Sequence, residues 1–168
     1  RRPPRSTLFP YTMLFRSVII PSSDPHQSEY VASHWREREW ISGFTGSAGL
    51  VVITKNHAGL WTDSRYFLQA EMELKGSSFV LHKMVNQFGT PHIDFLSETL
   101  SSGSTVAVNG FMFSKTAIDG MKKELSKKQI ELVYRIDIIS EIWLDRPQLS
   151  DAPIVLHEME FSGKSIGD

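Results

Sequence analysis

Short apolar runs alternate along this chain with segments in which apolar residues recur every three or four positions. The runs are typical of buried strands, and the other segments are typical of helices packed on one face. The predicted strands are residues 18–20, 50–54, 60–62, 79–83, 106–108 and 130–134. The predicted helices are residues 64–75, 90–100, 114–125 and 136–143. This order predicts an α/β fold, a mixed β-sheet flanked by helices, with one hairpin turning at 55–59.

Residues that favour helix ends mark most of these boundaries. Asp63 or Ser64, Thr90-Pro91 and Ser114 precede predicted helices, and Gly76 follows one. Asp24 followed by Pro25 predicts a further short helix through Tyr30 and Val31 in the same way. The charged and aromatic segment 35–40 is compatible with either a helix or a structured loop.

Charge and proline content divide the chain into four parts. Residues 1–17 hold four arginines and no acid, and we interpret them as a non-native or disordered segment. Residues 18–146 form the main domain. Residues 147–153 lie between two prolines and predict a linker. Residues 154–168 are interpreted as the truncated start of a second domain, with a strand at 154–156 and a helix beginning at Phe161.

Composition excludes several classes of protein. The 40% of hydrophobic and 22% of charged residues argue against a disordered or collagen-like chain. The absence of cysteine excludes disulfides and thiolate metal sites, and fits a reducing compartment. The apolar runs are too short to span a bilayer. Residues 18–168 hold 14 basic and 19 acidic residues, a net charge of −5, which gives no electrostatic reason to bind nucleic acid.

The sequence contains no motif that identifies a catalytic or metal-binding residue. Ser47 in TGSAG resembles a hydrolase nucleophile, but a strand follows it where the motif requires a helix. The six histidines include no pair spaced i,i+4 and no close carboxylate cluster. We therefore expect no catalytic residue and no metal ligand in this chain.

Arg65 is the candidate binding residue. It lies in the first turn of the helix that follows the strand at Trp61, where a positive charge opposes the helix dipole. Asp63 could offset that charge locally. However, side chains spaced i,i+2 on a helix do not face each other, which favours a second interpretation. In this interpretation Arg65 points into a shared cleft and binds a carboxylate or carbonyl, for which its planar fork is suited.

Four segments resemble the N-terminal domain of Xaa-Pro aminopeptidases (aminopeptidase P). They are VIIPSSDPHQSEY at 18–30, ISGFTGSAG at 41–49, WTDSRYF at 61–67 and IWLDRP at 142–147. The last segment departs from the family's more usual WTDRP. The four segments follow the family's order, and the long, three-domain form is the most similar.

The resemblance implies a creatinase-type N-terminal fold of ribonuclease-H-like topology. It also implies a parent enzyme that removes an N-terminal residue preceding proline. Two divalent metals, usually manganese, belong to the family's C-terminal domain, so none is expected here. Arg65 corresponds to the family's substrate-contacting arginine. The implied partners are the rest of the polypeptide and a peptide with proline in second position, in a cytoplasmic protein whose parent is a homodimer.

A second function stays open beside the enzyme. A similar fold serves as a non-catalytic peptide- or protein-binding module in a histone chaperone family that has lost its metal ligands. The downstream sequence separates the two functions, because five correctly spaced metal ligands would indicate an enzyme.

Overall fold

The computed structural model describes residues 15–86, 89–165 and 167. These residues form a six-stranded sheet in the order β4-β3-β2-β1-β5-β6. The strands are β1 Ser17–Pro21, β2 Leu50–Thr54, β3 Ala58–Asp63, β4 Val80–Met84, β5 Thr105–Val108 and β6 Glu131–Val133.

Five of the six strands run in the same direction. Only β2 is antiparallel to its neighbours, with Ile19 opposite Val52 and Val51 opposite Leu60. The pairs β1–β5, β3–β4 and β5–β6 are parallel. The carboxyl ends of β1 and β3 therefore meet at the same edge of the sheet, together with the loop that enters β2.

Helices cover both faces of the sheet. They are α1 Glu37–Ser42, α2 Phe67–Glu73, α3 Pro91–Thr99, α4 Lys115–Ser126, α5 Ile138–Ile142 and α6 Met159–Ser162. Residues of α1, α2 and α5 share one apolar cluster with Val18 and Ile20. Residues of α3 and α4 share the other with Ile19. Successive strand residues point to opposite faces, so covering both faces requires the unbroken apolar strands seen in the sequence.

The structure confirms the predicted mixed sheet flanked by helices. β2 has the predicted bounds, and α3 begins at Pro91 as expected. The side chain of Ser114 accepts a hydrogen bond from the Ala117 amide at 3.1 Å, which caps α4. The segment 35–40 divides into the end of a 3₁₀ helix, Ser33–Trp35, and most of α1.

The predicted helix after Asp24 is wrong. Residues 24–31 form turns, bends and irregular backbone. The Asp24 carboxylate accepts hydrogen bonds from the amides of His26 at 2.9 Å and Ser28 at 3.0 Å. Aspartate side chains that satisfy nearby amides in this way compete with helix formation, so the same residue that suggested an N-cap stabilises a turn.

Most of the segment 1–17, residues 1–14, lies outside the described residues, and the elements at the two ends differ from those predicted. β1 begins at Ser17, and Phe15 packs against the apolar cluster beneath α1. At the other end, residues 154–156 are exposed and lie outside the strands of the described chain. The last helix, α6, begins at Met159 rather than at Phe161. None of the helices in the described residues combines the length and apolar character needed to cross a membrane.

Candidate functional site

The candidate site lies at the sheet edge where β1 and β3 end. Three segments meet there: residues 22–32 after β1, residues 43–49 before β2, and the 3₁₀ helix Ser64–Tyr66 after β3. In open α/β sheets, ligands bind outside the carboxyl ends of the strands. The position of these loops therefore makes this edge the candidate binding site.

Hydrogen bonds hold the loop 43–49 against both neighbouring strands. Ser22 Oγ donates to the Gly49 carbonyl at 2.5 Å, and Thr62 Oγ1 donates to the Ala48 carbonyl at 2.6 Å. Ser47 Oγ lies 2.5 Å from the Tyr66 hydroxyl. The hydrogen-bond partner of the Ser47 hydroxyl is thus a tyrosine.

Glycine is required in this loop for two different reasons. Gly43 ends α1 in the left-handed conformation, at φ 73°. A Cβ atom on Gly46 would lie 2.7 Å from Tyr66 Cδ1 and would also overlap the buried ring of Phe44. The small residues of this loop therefore allow its backbone to approach the aromatic side chains beneath it.

Arg65 forms a bidentate ion pair with Asp63. Its Nε donates to Oδ1 at 2.9 Å and its Nη2 donates to Oδ2 at 2.8 Å. Oδ1 also accepts the Arg65 amide at 3.1 Å, so Asp63 is the N-cap of the 3₁₀ helix. The expectation that these two side chains do not face each other is wrong. Asp63 precedes the helix in extended backbone, where the i,i+2 argument does not apply.

The ion pair leaves Arg65 accessible. Its side chain is 61% exposed, whereas that of Asp63 is 7% exposed. Hydrogen bonding from Arg65 lowers the pKa of Asp63 below its ordinary value, and Asp63 in turn raises the pKa of Arg65. Asp63 therefore holds a charged guanidinium in a defined orientation at the surface, with nitrogen atoms left for another acceptor.

A pocket of about 390 Å³ is lined by the loop 43–49, by residues 21–31 and by the start of α1 with the residues before it. Arg65 lies over the ring of Tyr66 at 5.3 Å, and Tyr66 bonds to Ser47 in the pocket wall. The residues lining the pocket are Pro21, Ser22, Ser28, Glu29, Tyr30, Val31, Trp35, Arg36, Arg38, Glu39, Thr45, Gly46 and Ser47.

Arg38 is the functional candidate that sequence reasoning missed. It lies in α1 and is 5% exposed, and its Nη2 donates to the Gly46 carbonyl. In the sequence it stands within REREW, a charged segment typical of a solvated helix face. No local pattern distinguishes Arg38 from Arg36, which remains more exposed.

The described residues do not provide a metal site. They contain no group of three or more His, Asp or Glu side chains placed to hold an ion. His57 and His82 approach each other at 2.9 Å between their Nε2 atoms, and no third side chain of these types completes that pair among the described residues. A di-nuclear centre therefore does not fit this part of the chain.

Comparison with known proteins identifies the domain. The sequence model of the Creatinase/Prolidase N-terminal domain matches residues 19–139. Aminopeptidase P2 from Arabidopsis thaliana is 42% identical over 153 residues, which are 89% of this chain and 21% of that protein. Xaa-Pro aminopeptidase 1 from Dictyostelium discoideum is 39% identical over 158 residues, which are 88% of this chain and 25% of that protein. The chain thus spans about a quarter or less of these relatives.

Solved structures agree with the family match. The X-prolyl aminopeptidase of Caenorhabditis elegans, described as a cytosolic enzyme with a di-nuclear active site, superposes with a TM-score of 0.79 at 32% identity. The alignment covers 90% of this chain and 25% of that enzyme. The N-terminal domain of the peptidase PepQ from Mycobacterium tuberculosis, at 20% identity, shares the fold with a TM-score of 0.61 over 82% of this chain and 96% of that domain. The chain belongs to the Creatinase/Prolidase N-terminal domain family, in the form that Xaa-Pro aminopeptidases carry.

Proposed function

We propose that this chain is the non-catalytic N-terminal domain of a metal-dependent aminopeptidase that removes the N-terminal residue preceding proline. In this proposal the edge formed by β1, β3 and the loop 43–49 is one wall of the substrate cleft. The proposal is supported by the family match and by the pocket that the loop 43–49 helps to line at this edge.

The main support for the proposal is that the Arg65 guanidinium is both oriented and exposed. Most surface arginines are mobile, but this guanidinium is oriented by two hydrogen bonds to a nearly buried carboxylate while 61% of its side chain stays exposed. Such a group is prepared to bind a carbonyl or carboxylate of a peptide, and less conformational entropy is lost on binding because the fork is already held.

The rest of the polypeptide supplies what this domain lacks. We propose that residues 147–153 link it to a second domain that starts at residue 154. Two divalent metals, manganese by family resemblance, are held further along the polypeptide, where they would activate a water molecule and polarise the scissile carbonyl. The parent is proposed to be a cytoplasmic homodimer.

Steady-state kinetics of the full-length parent on an Xaa-Pro peptide test the role of Arg65. We expect Arg65→Ala to lower kcat/KM by about tenfold to a hundredfold, with little change in melting temperature. Arg65→Lys should recover only part of that loss, because an ammonium group cannot reproduce the planar fork. Unchanged kinetics in the alanine variant would assign Arg65 to local structure and remove the main support for the proposal.

A second experiment tests whether this chain is catalytic without the rest of the polypeptide. The 168-residue chain, incubated with an Xaa-Pro-Pro peptide and manganese, should release no N-terminal residue, because its described part contains no metal-ligand cluster. Metal-dependent release at a rate typical of the family would show that the chain is catalytic by itself.

A non-catalytic peptide- or protein-binding module of the same fold is the second candidate. The pocket lined by the loop 43–49 favours this module as much as it favours a substrate cleft, because both need a surface that recognises peptide groups. Sequencing the downstream coding region separates the two functions. Five metal ligands with the family's spacing would support the enzyme, and their absence would support the module.

A further inference from the structure

Arg38 is buried with most of its hydrogen-bonding capacity unused. Its Nη2 donates to the Gly46 carbonyl, and its guanidinium carbon lies 4.8 Å from the centre of the Phe44 ring. Nε and Nη1 have no hydrogen-bond partner in the described part of the chain. A buried charged group is normally paired or fully hydrogen-bonded, so this arginine lacks the compensation that its position requires.

Neighbouring acids favour the charged form of Arg38, but they do not hydrogen-bond its Nε or Nη1. The Glu39 carboxylate is 3.9 Å from Arg36, and the Glu73 carboxylate accepts the amide and the hydroxyl of Thr45 at 2.8 and 2.6 Å. Burial lowers the pKa of Arg38 to about 10, although the charges of Glu39 and Glu73 act in the opposite direction. Arg38 is therefore still a cation at neutral pH, and neither acid hydrogen-bonds its Nε or Nη1.

Arg38 lies next to a pocket from which an anionic ligand could reach it. Arg38 lines the 390 Å³ pocket, together with the hydroxyl-bearing residues Ser22, Ser28 and Ser47. The same pocket has an apolar side formed by Pro21, Val31 and Trp35, and its outer wall includes Tyr30, whose side chain is 87% exposed. A buried guanidinium beside apolar side chains suits a ligand that carries a carboxylate next to an apolar group, although the lining also holds Arg36, Glu29 and Glu39.

We propose that this pocket binds the terminal carboxylate of a short peptide through the guanidinium of Arg38. The peptide nature of the ligand rests on the proposed function, whereas the preference for a carboxylate rests on Arg38 alone. Because Nε and Nη1 are buried, the bound carboxylate reaches them by displacing part of the pocket wall. Residues 28–31 are the part of the wall best placed to move, since Tyr30 is so exposed.

The direct test observes Arg38 in the unmodified 168-residue chain. In ¹H–¹⁵N spectra, the Nε–H signal of Arg38 should shift in a saturable way with sodium acetate and with the tripeptide Ala-Pro-Pro. The C-terminal amide of the same tripeptide should have no such effect. Arg135 is the matched control, because it is exposed and lies outside this pocket, so its signal should move little.

Thermal stability gives an independent measurement. At equal ionic strength, acetate at ten times its Kd should raise the melting temperature by about 3–6 °C relative to chloride. Arg38→Gln should abolish this difference, and Arg135→Gln should retain it. If Arg38→Gln does not fold, the spectra of the unmodified chain still decide the question.

Three results would overturn the proposal. If neither acetate nor Ala-Pro-Pro shifts the Arg38 Nε–H signal, Arg38 binds no carboxylate. A shift with acetate alone would contradict the peptide assignment, and an equal shift with acid and amide would contradict recognition of the terminal carboxylate. The proposed function fails separately, if Arg65→Ala leaves the kinetics of the full-length enzyme unchanged.

Discussion

The guanidinium of Arg146 binds the carboxylate of Glu37, 109 residues earlier in the chain, in a buried ion pair with Nη2 and Oε1 2.6 Å apart. Arg146 also donates to Asp137 at 3.0 Å and to the His34 carbonyl at 2.8 Å, and its guanidinium lies 5.2 Å from the Trp35 ring. Arg146 thereby links α5 and the residues that follow it to α1.

Arg146→Met should destabilise the domain strongly. The substitution keeps much of the apolar volume but leaves Glu37 buried without its cation, and loss of one partner of a buried pair costs about 3–5 kcal/mol. Chemical denaturation at pH 8 measures the loss. Lys127→Met is the matched control, because Lys127 and Glu124 form an exposed pair whose loss should cost about 0–1 kcal/mol. Similar losses in the two variants would contradict a stabilising role for the buried pair.

His92 should make the domain less stable as pH falls. Burial lowers the pKa of His92 to about 4 from the ordinary 6.5, and its Nδ1 has no hydrogen-bond partner among the described residues. Between these values the unfolded chain binds a proton that the folded chain does not, so the free energy of unfolding falls as pH decreases. The full effect is about 3 kcal/mol between pH 7 and pH 4.

The variant His92→Phe isolates this effect. Burial raises the pKa of Glu37 to about 7 from 4.5, which contributes stability that is lost as pH rises and so opposes His92 in the total curve. The difference between wild type and His92→Phe removes the Glu37 contribution, and it should change by about 3 kcal/mol between pH 7 and pH 4. Exposed His157→Asn serves as the control. Parallel curves for wild type and His92→Phe would refute the assignment.

Alanine substitutions at Asp63 and at Arg65 should have different effects on the free energy of unfolding. Asp63→Ala removes the cap of the 3₁₀ helix Ser64–Tyr66 and should lower the free energy of unfolding by about 1–2 kcal/mol. Arg65→Ala keeps that cap, and the exposed arginine side chain contributes little to stability. Thermal melts of both variants check this expectation. A large loss in Arg65→Ala would show that the ion pair serves the fold rather than a ligand.

Gly46 and Gly120 should respond to alanine in opposite directions. A Cβ atom on Gly46 would overlap Phe44 and approach Tyr66, so Gly46→Ala should cost about 1–3 kcal/mol. Gly120 lies within α4, and a Cβ atom there would meet nothing within 4 Å. Gly120→Ala should therefore stabilise the domain by about 0.5–1 kcal/mol. Denaturant titrations of the two variants provide the comparison, and a tolerated Gly46→Ala would disprove the close approach of the loop.

Local chemistry was enough to predict most of the regular structure. The apolar residues of β2, the N-cap Ser114 and the first-turn proline Pro91 act within a few positions of themselves, so a short window of sequence contains the cause. The same logic misplaced a helix at Asp24, because an aspartate that accepts two nearby amides stabilises a turn as readily as a helix start. Local rules therefore predict the position at which a secondary-structure element ends more reliably than they predict whether a turn or a helix follows.

By itself, the sequence determined the alternation of strands and helices, the family and the candidacy of Arg65. The tertiary structure decided that Asp63 holds Arg65, that Arg38 is buried beside a pocket, and that Arg146 binds Glu37. The reason is physical: burial and pairing depend on residues brought together by the fold, and a charged residue in REREW has the same local pattern whether its neighbour in space is water, a carbonyl or a carboxylate. Strand order and chain packing determine that neighbour, and both arise from contacts between distant parts of the chain.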